Sequence, residues 1–228
     1  MGQGIVQAVR LLLAGDPEVW SVTWLSLRIS ATATLLSLAV GIPLGTTLAL
    51  SRFTGRGVVI SLVNTGMGLP PVVVGLFVTI VLWRNGALGF LELLYTPTAM
   101  VVGQLVIAAP IVTGLTLAAV QQVPEAFRLQ MRGLGASSPQ MIRVLLQEAR
   151  LPMLAAVMAG FGGVISEVGA SMMLGGNIRG QTRVLTTATV LETGKGNFDV
   201  AIALSVILLL ITFLVNWALS VIQQRRRG

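Results

Sequence analysis

Between residues 29 and 51 the chain carries no charged side chain, and the run reads ISATATLLSLAVGIPLGTTLALS. As an α-helix rising about 1.5 Å per residue it is long enough to cross a hydrocarbon layer about 30 Å thick. In lipid, backbone N–H and C=O groups have no water to bond, so a crossing segment must satisfy them internally and is read as a helix. Comparable runs follow at 58–83, 97–120, from 151 onward and at 200–223. The expected fold class is therefore all-α: a polytopic membrane protein of about five transmembrane helices, with residues 1–228 forming a single transmembrane domain. Composition agrees, since 54% of residues are apolar, only 10% are charged and the mean hydropathy is +0.88, more than a soluble core requires. The sequence shows no internal repeat.

Residues 1–18 lack the basic start and longer apolar stretch of a signal peptide. Ile5, Val9, Leu12 and Leu13 have helical spacing, so an interfacial helix is expected there, ended by Asp16 and Pro17. Trp20 and Trp24 suit the aromatic belt where the first span enters, and Arg28 either snorkels to that interface or pairs inside the bundle. The net charge of +7 does not point to nucleic acid. Nine of the fifteen basic residues, Arg52, Arg56, Arg128, Arg132, Arg143, Arg150 and Arg225 to Arg227, flank apolar runs as the positive-inside pattern requires. The segments that hold them are expected in the cytoplasm, with the N-terminus outside and the C-terminus inside. There is no cysteine and no histidine, which excludes disulfides, thiolate metal ligation and cysteine catalysis.

Several spans carry breakers or buried polar groups. Gly41, Pro43 and Gly45 give a small-residue packing face or a kink, the packing face being the plainer reading. Pro70 and Pro71 remove two donors from the second run, which must bend or break there, and broken spans often line a pathway. An outer loop at 84–96 comes next, then a third span containing Pro110. Glu167 lies in the fourth run. Either it sits near the outer end partly hydrated, or it pairs with Arg28, or it belongs to a gate or packing network beside the pathway. The apolar middle of residues 175–199 is too short to span and is expected to dip into the membrane or lie on its face.

The longest polar interval is 121–152, QQVPEAFRLQMRGLGASSPQMIRVLLQEARLP. Pro124 is expected to start a short helix that Gly133 and Gly135 end, and Ser138 before Pro139 to cap a second, whose Met141, Val144, Leu145 and Glu148 have helical spacing. Pro152 discourages continuation past Leu151. No catalytic motif is present: GKGN at 194–197 lacks the upstream glycine and Lys-Ser/Thr of a P-loop, and no H-E-x-x-H or G-x-S-x-G occurs. If transport consumes ATP, another chain must bind it. A proton- or sodium-coupled transporter would show acids in more than one span, and a membrane enzyme a catalytic cluster; both readings rank behind.

GLPPVVVGL at 68–76, the corner GLGAS at 133–137 with its adjoining helix, and SEVGASMMLGGNIRGQTR at 166–183 resemble the transmembrane subunits of ABC importers for oxyanions, the molybdate, sulfate and tungstate group, and look most like the tungstate-type permeases. The loop is shared by ABC importers generally, the other two stretches are more specific to the oxyanion group. The resemblance implies a coupling helix that docks in a cleft of an ATPase subunit, a role falling on Gly135, Ala136, Ser137, Ser138, Pro139, Gln140, Met141, Arg143 and Val144. It also implies two copies of this chain in the lipid, a cytoplasmic ATPase pair that holds the ATP and magnesium, and an extracytoplasmic binding protein, with no cofactor or metal in this chain. Tungstate is the expected cargo, with molybdate or sulfate as alternatives. Asn64, Thr65, Ser166, Ser171 and Asn177 are the expected pathway groups beside Pro70, Pro71 and Glu167. The sequence departs from the family around Arg128 and Leu129, where the usual acid is replaced, and the interval onward to Pro152 is longer than usual, so the motif's salt bridges do not carry over.

Overall fold

The computed structural model describes Val6 and residues 15–225, with the backbone alone for Arg225. Ile5, Val9, Leu12 and Leu13 of the expected interfacial helix, and Arg226 and Arg227, lie outside the described residues. Ten α-helices are present among the described residues: α1 Pro17–Leu50, α2 Arg56–Met67, α3 Pro71–Leu82, α4 Pro97–Gln121, α5 Glu125–Gly133, α6 Ser138–Glu148, α7 Arg150–Ile165, α8 Gly169–Gly175, α9 Leu185–Gly194 and α10 Phe198–Arg225, with a 3-10 turn at Gly89–Leu91. Of these, α1, α4 and α10 are long and apolar enough to cross a membrane unbroken. The pair α2 and α3 is bent by 103° and the pair α6 and α7 by 69°; counting each as one broken span gives up to five.

The first span starts earlier than expected. The Asp16 carboxylate accepts the Glu18 and Val19 N–H groups at 3.0 Å each and so caps α1, while Pro17 takes the first helical position, where its missing N–H is no loss. Arg28 is consequently well inside a 34-residue helix, exposed on its outer side. The expected break at Pro70 and Pro71 is present: α2 stops at Met67, Pro70 is extended with ψ 124°, and Pro71 opens α3. The fourth run is interrupted without a proline, at 166–168 between α7 and α8, around the Glu167 that stands out in its sequence. The short apolar segment folds as α9, ten residues packed through Leu185 and Ala188 against Val19, Val22, Leu204 and Ile207 of α1 and α10.

Helix α4 is the hub, packing against α1, α2, α3, α7 and α8. Its closest approach is to α1. A Cβ placed on Gly45 would stand 2.5 Å from the Thr113 carbonyl oxygen, and one on Gly41 2.7 Å from the Val112 side chain. Gly41 and Gly45 are therefore a packing face, without which the two backbones could not meet. The buried side of α1 also carries Ser26, Thr34, Ser37 and Thr46, each donating its hydroxyl to the carbonyl four residues back at 2.7 Å. Such self-satisfied hydroxyls cost little in lipid and leave the side chain small. Pro110 of the third span sits inside the unbroken α4 and lies against α2, where a Cβ on Gly66 would meet its ring at 2.8 Å. Leu35, Leu62, Phe77, Leu209, Phe213 and Trp217 are exposed on the outside, an apolar surface compatible with lipid and not with water.

Candidate functional site

Two places gather the residues singled out by sequence. The first is the corner between α5 and α6. Helix α5 begins at Glu125 with Pro124 as its cap rather than as its first residue. At its other end the Ala136 N–H donates to the Met131 carbonyl at 3.0 Å and the Gly135 N–H to the Arg132 carbonyl at 2.9 Å, the paired bonds of a Schellman motif. Gly135 has φ +79°, a backbone that glycine adopts without strain. The cap of α6 is Ser137, not Ser138: its N–H and its hydroxyl both donate to the Gln140 amide oxygen, at 2.8 and 2.9 Å. Pro139 sits in the first turn. The corner is thus held by four local hydrogen bonds and turns without slack.

Helix α6 has one fixed and one free side. Leu145 is fully buried with Val120, Val123 and Ala149, and Met141, Leu146 and Leu50 pack on that group, so α6 is seated on the ends of α1 and α4. Ser138, Pro139, Gln140, Ile142 and Arg143 face away and are exposed, while Ala136, Met141 and Val144 are half-buried. Leu134, at the tip of the corner, is 74% exposed. Leu134 and Ile142 are not singled out by sequence; their signal is an apolar residue between two glycines and one beside an arginine on the polar side of an amphipathic helix.

The second place is where two helix breaks meet. Helix α3 packs on α8 just after its prolines: a Cβ on Gly75 would stand 2.8 Å from the Ala170 backbone, and one on Gly169 2.5 Å from the Val72 side chain. The same Cβ on Gly169 would stand 3.4 Å from Glu167 Oε1, so Val72 and the Glu167 carboxylate flank one glycine. Glu167 is buried at 8% exposure, not partly hydrated. Nor does it pair with Arg28, which is exposed and in none of the ion pairs among the described residues. The carboxylate instead accepts the Ala170 N–H at 2.9 Å, and the Glu167 carbonyl accepts the Thr186 hydroxyl at 2.9 Å, tying the break to α9. Ser171 is buried with no partner for its hydroxyl. Ser166 is exposed and donates to the Gly162 carbonyl at 2.8 Å. Asn177, with φ +53°, reaches the Thr187 carbonyl at 3.4 Å and leaves its own amide oxygen buried and unpartnered. Asn64 and Thr65 are elsewhere, exposed on α2, and Pro70 is exposed at the bend.

A contact that sequence does not reveal closes the opposite end of the bundle. Glu18 in the first turn of α1 accepts from Arg179 Nε at 3.0 Å, from the same guanidinium at Oε2, and from Arg183 at 3.3 Å. The carboxylate holds the Arg179 guanidinium above its ordinary pKa, chiefly through the hydrogen bond. The partners are 161 residues apart, and no local pattern couples them.

Residues 41–228 match the family model described as binding-protein-dependent transport system inner membrane component. The chain is 38% identical over 224 residues to the tungstate uptake system permease protein TupB of Peptoclostridium acidaminophilum, covering 98% of each. It is 42% identical over 201 residues to a probable anion ABC transporter permease protein of Haloferax volcanii, covering 86% of this chain and 87% of that one. Molybdenum transport system permease protein ModB of Escherichia coli is more distant, at 28% over 231 residues, 95% of this chain and all of that one. Among solved structures, a chain of the MetNI methionine ABC transporter in inward-facing conformations superposes with a TM-score of 0.77 at 22% identity, covering 92% of this chain and 98% of that chain, which shows a shared fold. The family match over most of the length, the relatives and the helical architecture lead to one assignment: the chain belongs to the family of inner membrane components of binding-protein-dependent transport systems.

Proposed function

We propose that this chain is the permease subunit of an ATP-driven importer for a tetrahedral oxyanion, with tungstate as the first candidate. Two copies enclose the pathway, an ATPase pair that binds ATP and magnesium docks on the cytoplasmic side, and an extracytoplasmic binding protein delivers the anion. The observation that carries this reading is the two-sided α6: one face is seated through Leu145 on the ends of α1 and α4, and the other leaves Pro139, Gln140, Ile142 and Arg143 free beside the bare Leu134. A partner that grips the free face and moves as its nucleotide sites close displaces the ends of both helices together. Gly135, Ala136, Ser137, Ser138, Met141 and Val144 complete that handle.

The meeting of the two breaks supports the rest. A bundle that alternates between two packings needs segments that re-pack at small cost, and helices interrupted at 68–70 and 166–168 supply them. Anion passage is eased by hydroxyl and amide groups, here Ser166, Ser171, Asn177, Asn64 and Thr65, rather than by a strong cationic trap. Glu167 caps the broken helix beside the pathway, and its like charge keeps it from being a direct ligand. The relative named for tungstate uptake favours that ion, and the ModB relative keeps molybdate as the second reading.

Radiotracer tungstate uptake into vesicles holding the chain with its ATPase and binding protein tests the proposal. ATP-dependent accumulation is expected, lost in Gly135→Glu while ATP hydrolysis continues uncoupled. Uptake that persists when hydrolysis is blocked overturns the reading, and calorimetry of the binding protein with tungstate, molybdate and sulfate ranks the cargo.

A further inference from the structure

A cavity of about 720 Å³ opens between the ends of α1 and α4 and the start of α5. Arg52, Arg56, Arg128 and Arg132 line it, opposed by a single acid, Glu125. Two of the four guanidinium groups are already fixed. Arg56 Nε donates to the Leu48 carbonyl and Arg128 Nη2 to the Val120 carbonyl, each at 2.8 Å, so both cations cap the last turn of a long helix, where the helix dipole favours positive charge. The capping role uses part of each fork. Arg128 Nε is buried and has no acceptor, so this guanidinium behind the cavity lining is only partly satisfied. Arg52 and Arg132 are exposed and, like Glu125, enter none of the ion pairs among the described residues. The docking handle is α6, and none of the residues that line this cavity belongs to α6.

Four cations facing one anion in a shared recess repel one another unless an anion joins them. Planar guanidinium forks match the oxygens of a tetrahedral anion two at a time, and forks already held by backbone carbonyls lose little freedom on binding. Leu50 and Leu129 share the lining and give the recess an apolar wall. We propose that this cavity binds a tetrahedral oxyanion group, presented either by the phosphate of an anionic lipid headgroup at the membrane surface or as a free ion. The site is separate from the pathway groups, so its occupancy is independent of whether the cargo has been correctly named.

The test uses the purified full-length chain and compares it with the double variant Arg52→Gln, Arg132→Gln, which spares the two helix-capping arginines. Native mass spectrometry after exchange into phosphatidylglycerol or phosphatidylcholine counts retained lipid, and calorimetry with inorganic phosphate and with tungstate reads free-ion binding. Retention of phosphatidylglycerol reduced at least tenfold in the variant, with phosphatidylcholine unaffected, assigns the site to lipid. Free-ion binding weakened at least tenfold, with no lipid difference, assigns it to a soluble anion. The single variant Glu125→Gln removes the opposing charge and is expected to tighten whichever ligand binds by several-fold, which decides the matter even if the double variant fails to fold. Equal lipid and ion binding across wild type and variants overturns the proposal, as does a variant whose only defect is loss of a co-purifying ATPase chain, since the recess would then face protein.

Discussion

Gly45 and Glu167 show how much a single position carries in a bundle that lacks water as a driving force. At Gly45 even one methyl group would press on the Thr113 carbonyl, a backbone atom that cannot rotate away. Gly45→Val is expected to destabilise by about 1–3 kcal/mol, the usual cost of overpacking, seen as a lower Tm in detergent. Gly57→Ala, at a helical position with open space around it, should leave Tm unchanged or raise it slightly. Glu167 divides differently. Gln keeps an amide oxygen that can accept the Ala170 N–H, so Glu167→Gln should fold normally while uptake changes with the lost charge. Glu167→Ala forfeits the cap as well, about 1 kcal/mol, and should lower Tm too. A wild-type uptake rate in the Gln variant would reduce Glu167 to a structural cap.

The turn between α9 and α10 is held at element scale by Glu192. Its carboxylate accepts from Asn197 and Lys195 at 2.8 Å each, and these bonds, Asn197 first, hold its pKa below the ordinary 4.5. A lowered folded value means that the stabilisation is fully present above 4.5 and is lost as pH falls through the lower, folded value. Hydrogen exchange at residues 195–198 should therefore be flat in pH-corrected rate above that window and accelerate below it, and Glu192→Gln should abolish the step. Which elements can be read in advance depends on where their signals reside. The bend after α2 and the corner after α5 are written in Pro70, Pro71, Gly133 and Gly135, residues whose backbone chemistry acts locally. The start of α1 departs from expectation because Asp16-Pro17 serves equally well to stop a preceding helix and to cap a new one. The break at 166–168 is only half local: Glu167 caps α8 through the Ala170 N–H, but the Thr186 bond to the Glu167 carbonyl belongs to a segment 19 residues away. Likewise the grip of Glu18 on Arg179 and Arg183 arises only when the ends of the fold come together.

For the whole molecule, the distribution of arginine and the seat of α6 argue one orientation, and the absence of cysteine makes it easy to test. Single Ser137→Cys and Gln181→Cys variants, both at exposed positions, should react with a membrane-impermeant maleimide from opposite sides, Ser137 from the cytoplasm and Gln181 from outside. Labelling of both from one side would undo the topology and the docking proposal with it. The relative arrangement of breaks also bears on what surrounds the bundle. Helices α2 and α3 have 12 residues each, about 18 Å at the helical rise, so neither crosses alone, and the elbow between them is exposed in the single chain. Bare peptide groups outside a helix are not tolerated by acyl chains. The N–H groups of Gly68 and Leu69 are bonded within the turn, so it is the Gly68 and Leu69 carbonyls of the elbow at 68–70, bare among the described residues, that call for water or a protein cover, and the hydration of that one bend reports on which flank of the bundle looks away from the lipid.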